Sequence, residues 1–414
     1  MNICMLAPEF PPVWGGVGTY VFELVRHLPK DVDVHVVTPI REGFGKQEVS
    51  ALAYDPLDYL GSNVHLHFVC RATDSFFYNA RFQYACLKQI PMIVKEEGID
   101  VIHSHAAQMP DLLLMLRKLD KPFVTTIHTT IKSQRMGTKA SNLNFHEMEK
   151  SEKATYSLYP VLRFAEELYF RQRRLYVTPS HWMKRWFEDN FRIAVSLKVI
   201  PNCIDVDEYG ADKRGFLLET IIPRDLRDKK IVLYVGRMLA MKGVDVLVKA
   251  IPEILKRMGS DELLFVFSGP GDCSRFRKRL EEMNVKSHCL FTGPLPKETI
   301  IQLVMRSELV AVPSYYENCP YVVLESMACG TPVVASNVGG IPEIITNNYD
   351  GILVESGSPS ALANAIVRLL TNRSLRGLIS QRGRATIIKR FSWKANLAEY
   401  LNIYFEALKS ARDR

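Results

Sequence analysis

Residues 309–336 read LVAVPSYYENCPYVVLESMACGTPVVAS, and they contain one complete unit of the predicted fold. Two short apolar runs, 309–314 and 331–336, have the composition of buried strands. Between them Pro320 is suited to the first turn of a helix, and Gly330 is suited to its C-cap. A strand, a helix and a second strand in this order predict a parallel β-α-β unit.

The same alternation continues through the rest of the chain. Apolar runs of strand type lie at 2–8, 32–39, 63–70, 99–105, 121–128, 175–180 and 197–202, and then at 231–236, 263–269, 288–293 and 351–356. Helical patterns such as 19–28, 111–119 and 244–258 separate them. We predict an α/β protein with two doubly wound Rossmann-like domains, whose ligands bind in the cleft between the domains, beyond the carboxyl ends of the strands.

Domain boundaries follow from the irregular stretch PNCIDVDEYG at 201–210. We predict a first domain at 1–205, a second at 206–390 and a C-terminal helical segment at 391–414. The helical pattern places six apolar side chains on one face: Leu397, Tyr400, Leu401, Tyr404, Phe405 and Leu408. That face either packs on the first domain or forms a dimer contact, so the oligomeric state stays open.

The amino-acid composition narrows the classes to which this protein can belong. Among the 414 residues 47% are hydrophobic and 24% are charged, as in a soluble globular protein. The sequence has no signal-peptide pattern, and no window is long and apolar enough for a membrane span. Eight scattered cysteines without a C-x-x-C pair suggest a cytoplasmic protein without disulfides or structural zinc. The net charge of +8 fits anionic small ligands or an acidic membrane surface, and without a recognised motif we expect no nucleic-acid partner.

Two stretches of the first half have two interpretations each. The polar segment 129–170 is either a functional excursion at a strand end or a solvated helical decoration. Segment 163–192 combines Trp182 and Trp186 with several cations, among them Arg171, Arg173, Arg174, Lys184, Arg185 and Arg192. Such a mixture is found in peripheral membrane contacts, but also in ordinary amphipathic helices packed on a sheet, which is the more common case.

Glycines 15, 16 and 18 separate the first strand from its helix. Their spacing differs from G-x-G-x-x-G, and no acidic residue ends the second strand, which argues against a dinucleotide-binding dehydrogenase. Exposed glycine amides at a helix start favour phosphate. A tight turn without a ligand fits equally well.

In the second half, GRMLAMKG places Arg237 and Lys242 on one loop at a strand end, an arrangement that suits a diphosphate. Glu317 and Glu325 lie on either side of Pro320. From Pro320 to Glu325 a helix rises about 7–8 Å. The two carboxylates are therefore too far apart to share a proton, and we expect them to hold one extended ligand at two points.

Histidines end two neighbouring strands of the first half, His103 and His105 on one and His128 on the next. Histidines at such positions are as often structural as functional. No His, Asp and Glu trio shows metal-ligand spacing, so we predict no protein-bound metal.

Taken together, the motifs resemble those of the retaining glycosyltransferases of family 4, which have the GT-B fold. The resemblance covers nearly the whole chain and rests on five motifs in the family's order: GGVG (15–18), TIH (126–128), PNCID (201–205), VGR…KG (235–243), and E-x7-E with ACGTPVV (317–334). Two positions depart from the family pattern. Cys203 stands where glycine is common, which puts the backbone angles of that turn in question, and Asn318 stands where glycine or serine is common.

The resemblance implies a role for each donor-side residue. Arg237 and Lys242 would hold the donor's diphosphate, with Gly15 and Gly16 contributing from the first domain. Glu317 would bind the sugar hydroxyls and Glu325 the ribose. The main chain of Tyr321 and Val322 would face the phosphates, that of Leu295 would face the base, and Asn318 would influence which hexose fits.

The same resemblance implies the reaction. His128, Arg237, Lys242 and Glu317 would form the catalytic set, which moves a hexose with retained configuration from a UDP-, GDP- or ADP-linked sugar. The reaction would need no metal or other cofactor. A glycan, a sugar or a lipid-linked acceptor would bind near Glu9, Tyr20 and His105. The alternative is a non-catalytic module that binds the nucleotide sugar with the same fold.

Overall fold

A computed structural model describes residues 1–11, 15–41, 59–72, 78–107, 109–172, 174–191, 197–210, 221–259 and 262–412. The chain forms two compact units. The first unit comprises Met1–Lys132, Ser157–Cys203 and Trp393–Arg414, and the second comprises Ser133–Tyr156 and Ile204–Ser392. The unit borders therefore lie at 203/204 and 392/393, close to the predicted 205/206 and 390/391. The segment Ser133–Tyr156 lies within the predicted first domain but belongs to the second unit.

The first unit is built on a parallel sheet. Its described strands are β1 (Asn2–Leu6), β2 (Asp33–Arg41), β3 (Val64–Ala72), β4 (Val101–His105), β5 (Phe123–Thr126), β6 (Leu175–Thr178) and β7 (Leu197–Val199), in the order β3-β2-β1-β4-β5-β6-β7. Each of them lies within a stretch predicted as a strand or extends at most two residues beyond it. The β1 and β4 strands are almost entirely buried, as expected for strands covered on both faces.

The second unit repeats this architecture. Its strands are β8 (Lys230–Val235), β9 (Leu263–Ser268), β10 (Cys289–Gly293), β11 (Leu309–Val312), β12 (Val333–Ser336) and β13 (Ile352–Val354). Their order is β10-β9-β8-β11-β12-β13, and every described pairing is parallel. The strand order reverses its direction at β8 and β11, so the carboxyl ends of these strands form a topological switch point.

Helices connect the strands in both units. Those of the first unit are α1 (Gly16–His27), α2 (Tyr78–Glu96), α5 (Tyr159–Phe170), α6 (His181–Asn190) and α14 (Trp393–Arg412), and α3 (Ile131–Ala140) begins at its border. The second unit has α4 (Lys150–Ser157), α7 (Val244–Met258), α8 (Ser274–Glu282), α9 (Lys297–Arg306), α10 (Tyr321–Ala328), α11 (Ile341–Ile344), α12 (Pro359–Thr371) and α13 (Arg373–Arg390). None of the described helices is both long enough and apolar enough to cross a membrane.

Two helix predictions need correction. The stretch 111–119 forms only a short 3-10 helix at Leu113–Leu116, preceded by a left-handed residue, Met109, at φ 46°. In α14 the predicted apolar face is confirmed at Tyr400 and Tyr404, which are buried, but Phe405 is exposed. The buried side of the helix also includes Trp393 and Ile403, which the prediction left out. The helix lies in the first unit, where the Tyr400 hydroxyl donates to the carbonyl of Pro201 at 3.0 Å.

The helix of the opening stretch, α10, begins and ends one position away from the prediction at each side. Pro320 is its N-cap and not its first residue. Gly330 lies one residue beyond the C-cap with φ 73°, and its amide donates to Met327 while the Thr331 amide donates to Ser326. This pair of bonds is a Schellman motif, which needs a left-handed residue at this position and therefore favours glycine.

Cys203 does not strain the turn in which it replaces glycine. The described non-glycine residues with positive φ are Met109, Asn142, Asn284 and Asn348, so the Cys203 backbone is accessible to any residue type. Its side chain is fully buried and its thiol donates to the carbonyl of Pro201. The doubt that the missing glycine raised about this turn is thereby removed. All eight cysteines are free thiols.

Candidate active site

Backbone contacts join the carboxyl ends of β8 and β11 in the second unit. Gly243 adopts φ 66°, and a Cβ at this position would lie 1.9 Å from the carbonyl oxygen of Pro313. The Tyr315 amide also donates to the carbonyl of Met241 at 2.8 Å. Because only glycine allows this approach, the loop that carries Lys242 is held against the loop that carries Glu317.

The central feature of this edge is an ion pair between residues 75 positions apart. The Lys242 ammonium donates to Glu317 Oε1 at 2.6 Å, and the Ser314 hydroxyl donates to the same oxygen at 2.9 Å. The Glu317 side chain is 9% exposed and that of Lys242 25%. A cation and a carboxylate are thus fixed side by side, with the ammonium still accessible.

The backbone of Glu317 is fixed as well. Its carbonyl accepts from the Gly340 amide at 3.1 Å, and a Cβ on Gly339, whose φ is 57°, would lie 1.7 Å from that carbonyl oxygen. The loop of Gly339 and Gly340 therefore fixes the backbone of the residue whose carboxylate Lys242 and Ser314 hold. Such support on both sides is typical of a preorganised site.

The N-terminus of α10 lies three residues after Glu317. Its N-cap, Pro320, makes no side-chain hydrogen bond to the helix start, so the positive end of the helix dipole is not neutralised by a cap. Asn318 is buried in this loop. One turn further along the helix, Glu325 is half-buried and its Oε1 accepts from the hydroxyl of Tyr209 at 3.2 Å.

The remaining residues predicted to bind the donor lie at neighbouring strand ends of the same unit. Arg237 follows β8 and its side chain is exposed, while its carbonyl accepts from the buried Tyr234 hydroxyl at 2.8 Å. Leu295 follows β10 and is half-buried, and Val322 is half-buried in the first turn of α10. Tyr321, in the same turn, is buried.

Sequence reasoning missed the contribution of residues 133–156 to this edge. The Ser133 hydroxyl donates to the Tyr316 hydroxyl at 3.0 Å, next to Glu317. Glu152 accepts from the Ala240 amide at 3.0 Å, within the loop of Lys242. A polar segment of the first half thus covers the loops of the second unit. Its many polar residues only indicated that it would leave the first sheet.

In the first unit, aromatic and imidazole rings gather at the carboxyl ends of β4 and β5. The rings of Tyr20 and His128 are 4.5 Å apart between centroids, and those of Tyr20 and His105 are 5.7 Å apart. His128 Nε2 is hydrogen-bonded to His105 Nδ1 at 3.2 Å. His103, one layer deeper, is hydrogen-bonded to Thr126 and to Tyr404, both at 2.8 Å. The predicted acceptor-side residues Tyr20 and His105 therefore lie together with His128.

One atom of this group is unsatisfied. His105 Nε2 is buried and has no hydrogen-bond partner among the described residues. Since buried polar atoms are nearly always paired, this nitrogen indicates a place where a ligand or a water binds.

Glu9, the third predicted acceptor-side residue, lies beside the glycine turn of the same unit. A Cβ on Gly15 would lie 2.5 Å from Glu9 Oε2, so the missing side chain leaves room for the carboxylate. Gly16 begins α1, is exposed and has no described atom within 4 Å of where its Cβ would be. The N-cap, Gly15, provides no side-chain bond to the helix start.

Comparison with known proteins tests this interpretation. A family model described as "Glycosyltransferase Family 4" matches residues 14–208, and one described as "Glycosyl transferases group 1" matches residues 221–386. Between them they span most of the chain. This chain belongs to the glycosyltransferases of the GT-B fold.

Several proteins similar to this glycosyltransferase match it over nearly its full length. An uncharacterized glycosyltransferase of Methanocaldococcus jannaschii is 27% identical over 99% of each chain. The structure of a sucrose-phosphate synthase from Thermosynechococcus elongatus has a TM-score of 0.78 at 20% identity and covers 99% of each chain. That of Anabaena HepE in complex with UDP-glucose has a TM-score of 0.69 at 16% identity and covers 100% of each. The predicted family and fold are confirmed, and at these identities the structures show the fold alone.

The buried histidines of the glycosyltransferase make its stability depend on pH. Burial lowers the pKa of His103 to about 3 and lowers those of His105 and His128 as well. Between the ordinary value of about 6.5 and these lower values, the unfolded chain binds protons that the folded chain does not. Unfolding free energy is therefore expected to fall as pH decreases below about 6.5, by up to about 1.4 kcal/mol per pH unit for each histidine.

Urea unfolding at pH 7.0 and 5.0 measures this dependence. We expect His103→Gln to lose less stability over this interval than the unmodified protein, whatever its stability at pH 7.0. The exposed His146→Gln serves as the control and should keep the original dependence. Identical pH dependence in all three proteins would contradict the assignment.

Proposed function

We propose that this glycosyltransferase moves a hexose from a nucleoside diphosphate sugar to an acceptor hydroxyl and retains the anomeric configuration. The observation that carries the proposal is the Lys242–Glu317 pair at 2.6 Å. A diphosphate needs a cation, and a sugar presents hydroxyl donors that a fixed carboxylate accepts. The pair offers both at neighbouring points, beside a helix start without a side-chain cap.

The donor is expected to lie along the loops of the second unit. Its diphosphate would contact Lys242, the exposed side chain of Arg237 and the first amides of α10. Glu325 would accept from the ribose hydroxyls, with Tyr209 orienting its carboxylate. Glu317 would accept from the sugar hydroxyls, with Ser314 holding the same oxygen.

The chemical step in this proposal is electrostatic. As the bond between the sugar and the diphosphate breaks, negative charge builds up on the leaving phosphate. The Lys242 ammonium is already positioned by Glu317 and stabilises that charge without reorganisation. No step requires a protein-bound metal or other cofactor. Retention is proposed because the E-x7-E pattern resembles that of the retaining family.

The acceptor is proposed to bind to the first unit, near Glu9, Tyr20, His105 and His128. The unpaired Nε2 of His105 offers a buried position for a hydroxyl. Because the pKa of His128 is lowered, its ring is neutral near pH 7 and can accept a hydrogen bond from a sugar. A glycan, a sugar and a lipid-linked acceptor all satisfy this chemistry.

Thermal-shift measurements with UDP, GDP, ADP and their glucose conjugates test the donor side. HepE, a structural neighbour, is described in complex with UDP-glucose, so UDP-glucose is the first donor to try. We expect the nucleotides of one base to raise the melting temperature of the protein and those of the other two to leave it unchanged. Glu325→Ala should lose the stabilisation that the nucleoside diphosphate provides and also that of the sugar nucleotide, because both contain the ribose. Glu317→Ala should lose only the extra stabilisation that the sugar provides.

The exposed Glu282→Ala on α8 is the matched control and should behave like the unmodified protein. If Glu317→Ala and Glu325→Ala respond to every ligand as the control does, the two assignments are wrong. The alternative, a non-catalytic nucleotide-sugar module, predicts the same binding without any turnover, and slow donor hydrolysis would contradict it.

A peripheral membrane contact is a second proposal, and it concerns α5. This helix exposes Val161, Phe164 and Leu168 on one face, with Arg171 following at its end. Two of the cations that suggested a membrane contact, Arg173 and Arg192, lie outside the described residues. We expect flotation with anionic vesicles to be reduced in Phe164→Ser and unchanged in the exposed Phe405→Ser. The contact would be ruled out if the unmodified protein, Phe164→Ser and Phe405→Ser floated equally, or if none of them floated.

A further inference from the structure

A second histidine cluster lies in the first unit, on the strand pair at the edge of its sheet. In the parallel pairing of β2 with β3, His35 is the partner of His65, and His67 follows two residues later on the same face. The ring of His35 is stacked on that of His65, with centroids 4.8 Å apart. Three imidazoles thus share one face of a two-strand edge.

Two of these rings bring a nitrogen close to the same carboxylate. His35 Nδ1 and His67 Nε2 share a hydrogen bond at 3.0 Å, which an ion between them would replace, and the Glu97 carboxylate approaches His35 Nδ1 to 3.9 Å. One ligand atom from each of the three residues lies within 4.8 Å of the others. Bond lengths of 2.0–2.1 Å in a tetrahedral zinc site correspond to about 3.3 Å between ligand atoms, so these separations lie on both sides of the ideal value.

The backbone of Glu97 is held in place by two hydrogen bonds. Glu97 directly follows α2, and its amide donates to Ile93 at 2.9 Å. Its carbonyl accepts from the side-chain amide of Asn2 at 2.9 Å. The end of α2 is therefore fixed over the strands, and only the side chain of Glu97 has to turn towards the two rings.

We propose that His35, His67 and Glu97 bind a divalent transition metal, with zinc as the best match to two imidazoles and one carboxylate. A water would complete four-coordination, as in zinc sites with three protein ligands. His35 is buried and the other two residues are half-buried, so the ion would be shielded on one side and open to exchange on the other.

The position of this site indicates a stabilising role. β3 is the edge strand of the sheet, and an ion would join it to β2 and to the end of α2. His35 is the third residue of β2, near the amino end of the strand, whereas His105 and Thr126 are the last residues of β4 and β5. The metal is thus separate from the proposed transfer reaction. The spacing rules missed it because Glu97 is 30 positions from the nearer histidine.

Titration of tag-free, chelator-treated protein with Zn²⁺, followed by calorimetry and thermal shift, tests the proposal. We expect one ion per chain and a higher melting temperature. His67→Gln and Glu97→Gln should each weaken binding by about tenfold or more. His65→Gln, in the same cluster but outside the ligand set, and the exposed His181→Gln should bind as the unmodified protein does.

The metal-free melting temperature of each variant shows whether it is folded, and Glu97→Gln changes only a half-exposed side chain. Absence of saturable binding would overturn the proposal. So would equal weakening by His181→Gln, which would indicate general surface binding. If the metal affinity of His65→Gln falls as far as that of His67→Gln, the proposed ligand set is wrong.

Discussion

Lys242→Ala is expected to lower kcat of this glycosyltransferase by about 10²–10³-fold, the range seen when one preorganised electrostatic group is removed from an active site. The proposed cause is the loss of the ammonium that stabilises the departing diphosphate. The substitution also leaves Glu317, whose side chain is only 9% exposed, with Ser314 as its remaining described partner on Oε1. Donor binding should weaken less than kcat falls, because the effect is greatest where charge develops.

Steady-state kinetics with the donor found by thermal shift measures both effects. Lys249→Ala is the matched control, because Lys249 is an exposed lysine on α7 in the same unit. Lys242→Arg keeps the charge but replaces a compact ammonium with a planar fork, and we expect partial activity. A kcat of Lys242→Ala within threefold of the control would contradict the role given to this residue.

Asp111→Ala is expected to destabilise the first unit by about 3–5 kcal/mol, the cost of leaving a buried charge without its partner. Arg174 donates to Asp111 Oδ2 at 2.7 Å, and the two side chains are 2% and 0% exposed. The Tyr169 hydroxyl donates to Asp111 Oδ1 at 2.7 Å, and the Ser104 hydroxyl donates to the same oxygen. A single carboxylate therefore satisfies three donors in the interior.

Urea unfolding followed by tryptophan fluorescence measures this effect. The described tryptophans Trp182, Trp186 and Trp393 all belong to the first unit, so the signal reports on that unit. The double variant Asp111→Leu/Arg174→Leu removes both charges, and we expect it to be more stable than Asp111→Ala. A loss below about 1 kcal/mol in Asp111→Ala, as for an exposed pair, would contradict the argument.

The pattern of apolar residues was sufficient to predict the strands, because a parallel sheet covered on both faces requires continuous apolar runs. It failed at 111–119, where five apolar residues in succession resembled a helix. Only one 3-10 turn forms there, and Leu116 stays exposed. Local composition could not show that the chain leaves Met109 in a left-handed conformation.

The candidate site was predictable where a motif was local. Lys242 and Glu317 were each recognised from the residues around them, but their contact depends on the backbone approach of Gly243 to Pro313. The bond from Ser133 to Tyr316 spans 183 positions, and no local pattern indicates it. The proposed metal ligands were missed for the same reason, because the fold and not the spacing brings them together.

The most direct test of the central claim is donor turnover with an NMR assignment of the product. The protein is incubated with UDP-glucose, or with the donor that thermal shift selects, and with a panel of sugar acceptors, and release of the nucleoside diphosphate is followed. We predict release that increases with a suitable acceptor, a product with the anomeric configuration of the donor, and strongly reduced rates in Lys242→Ala. An inverted product, or equal release by Lys242→Ala and the unmodified protein, would contradict the account.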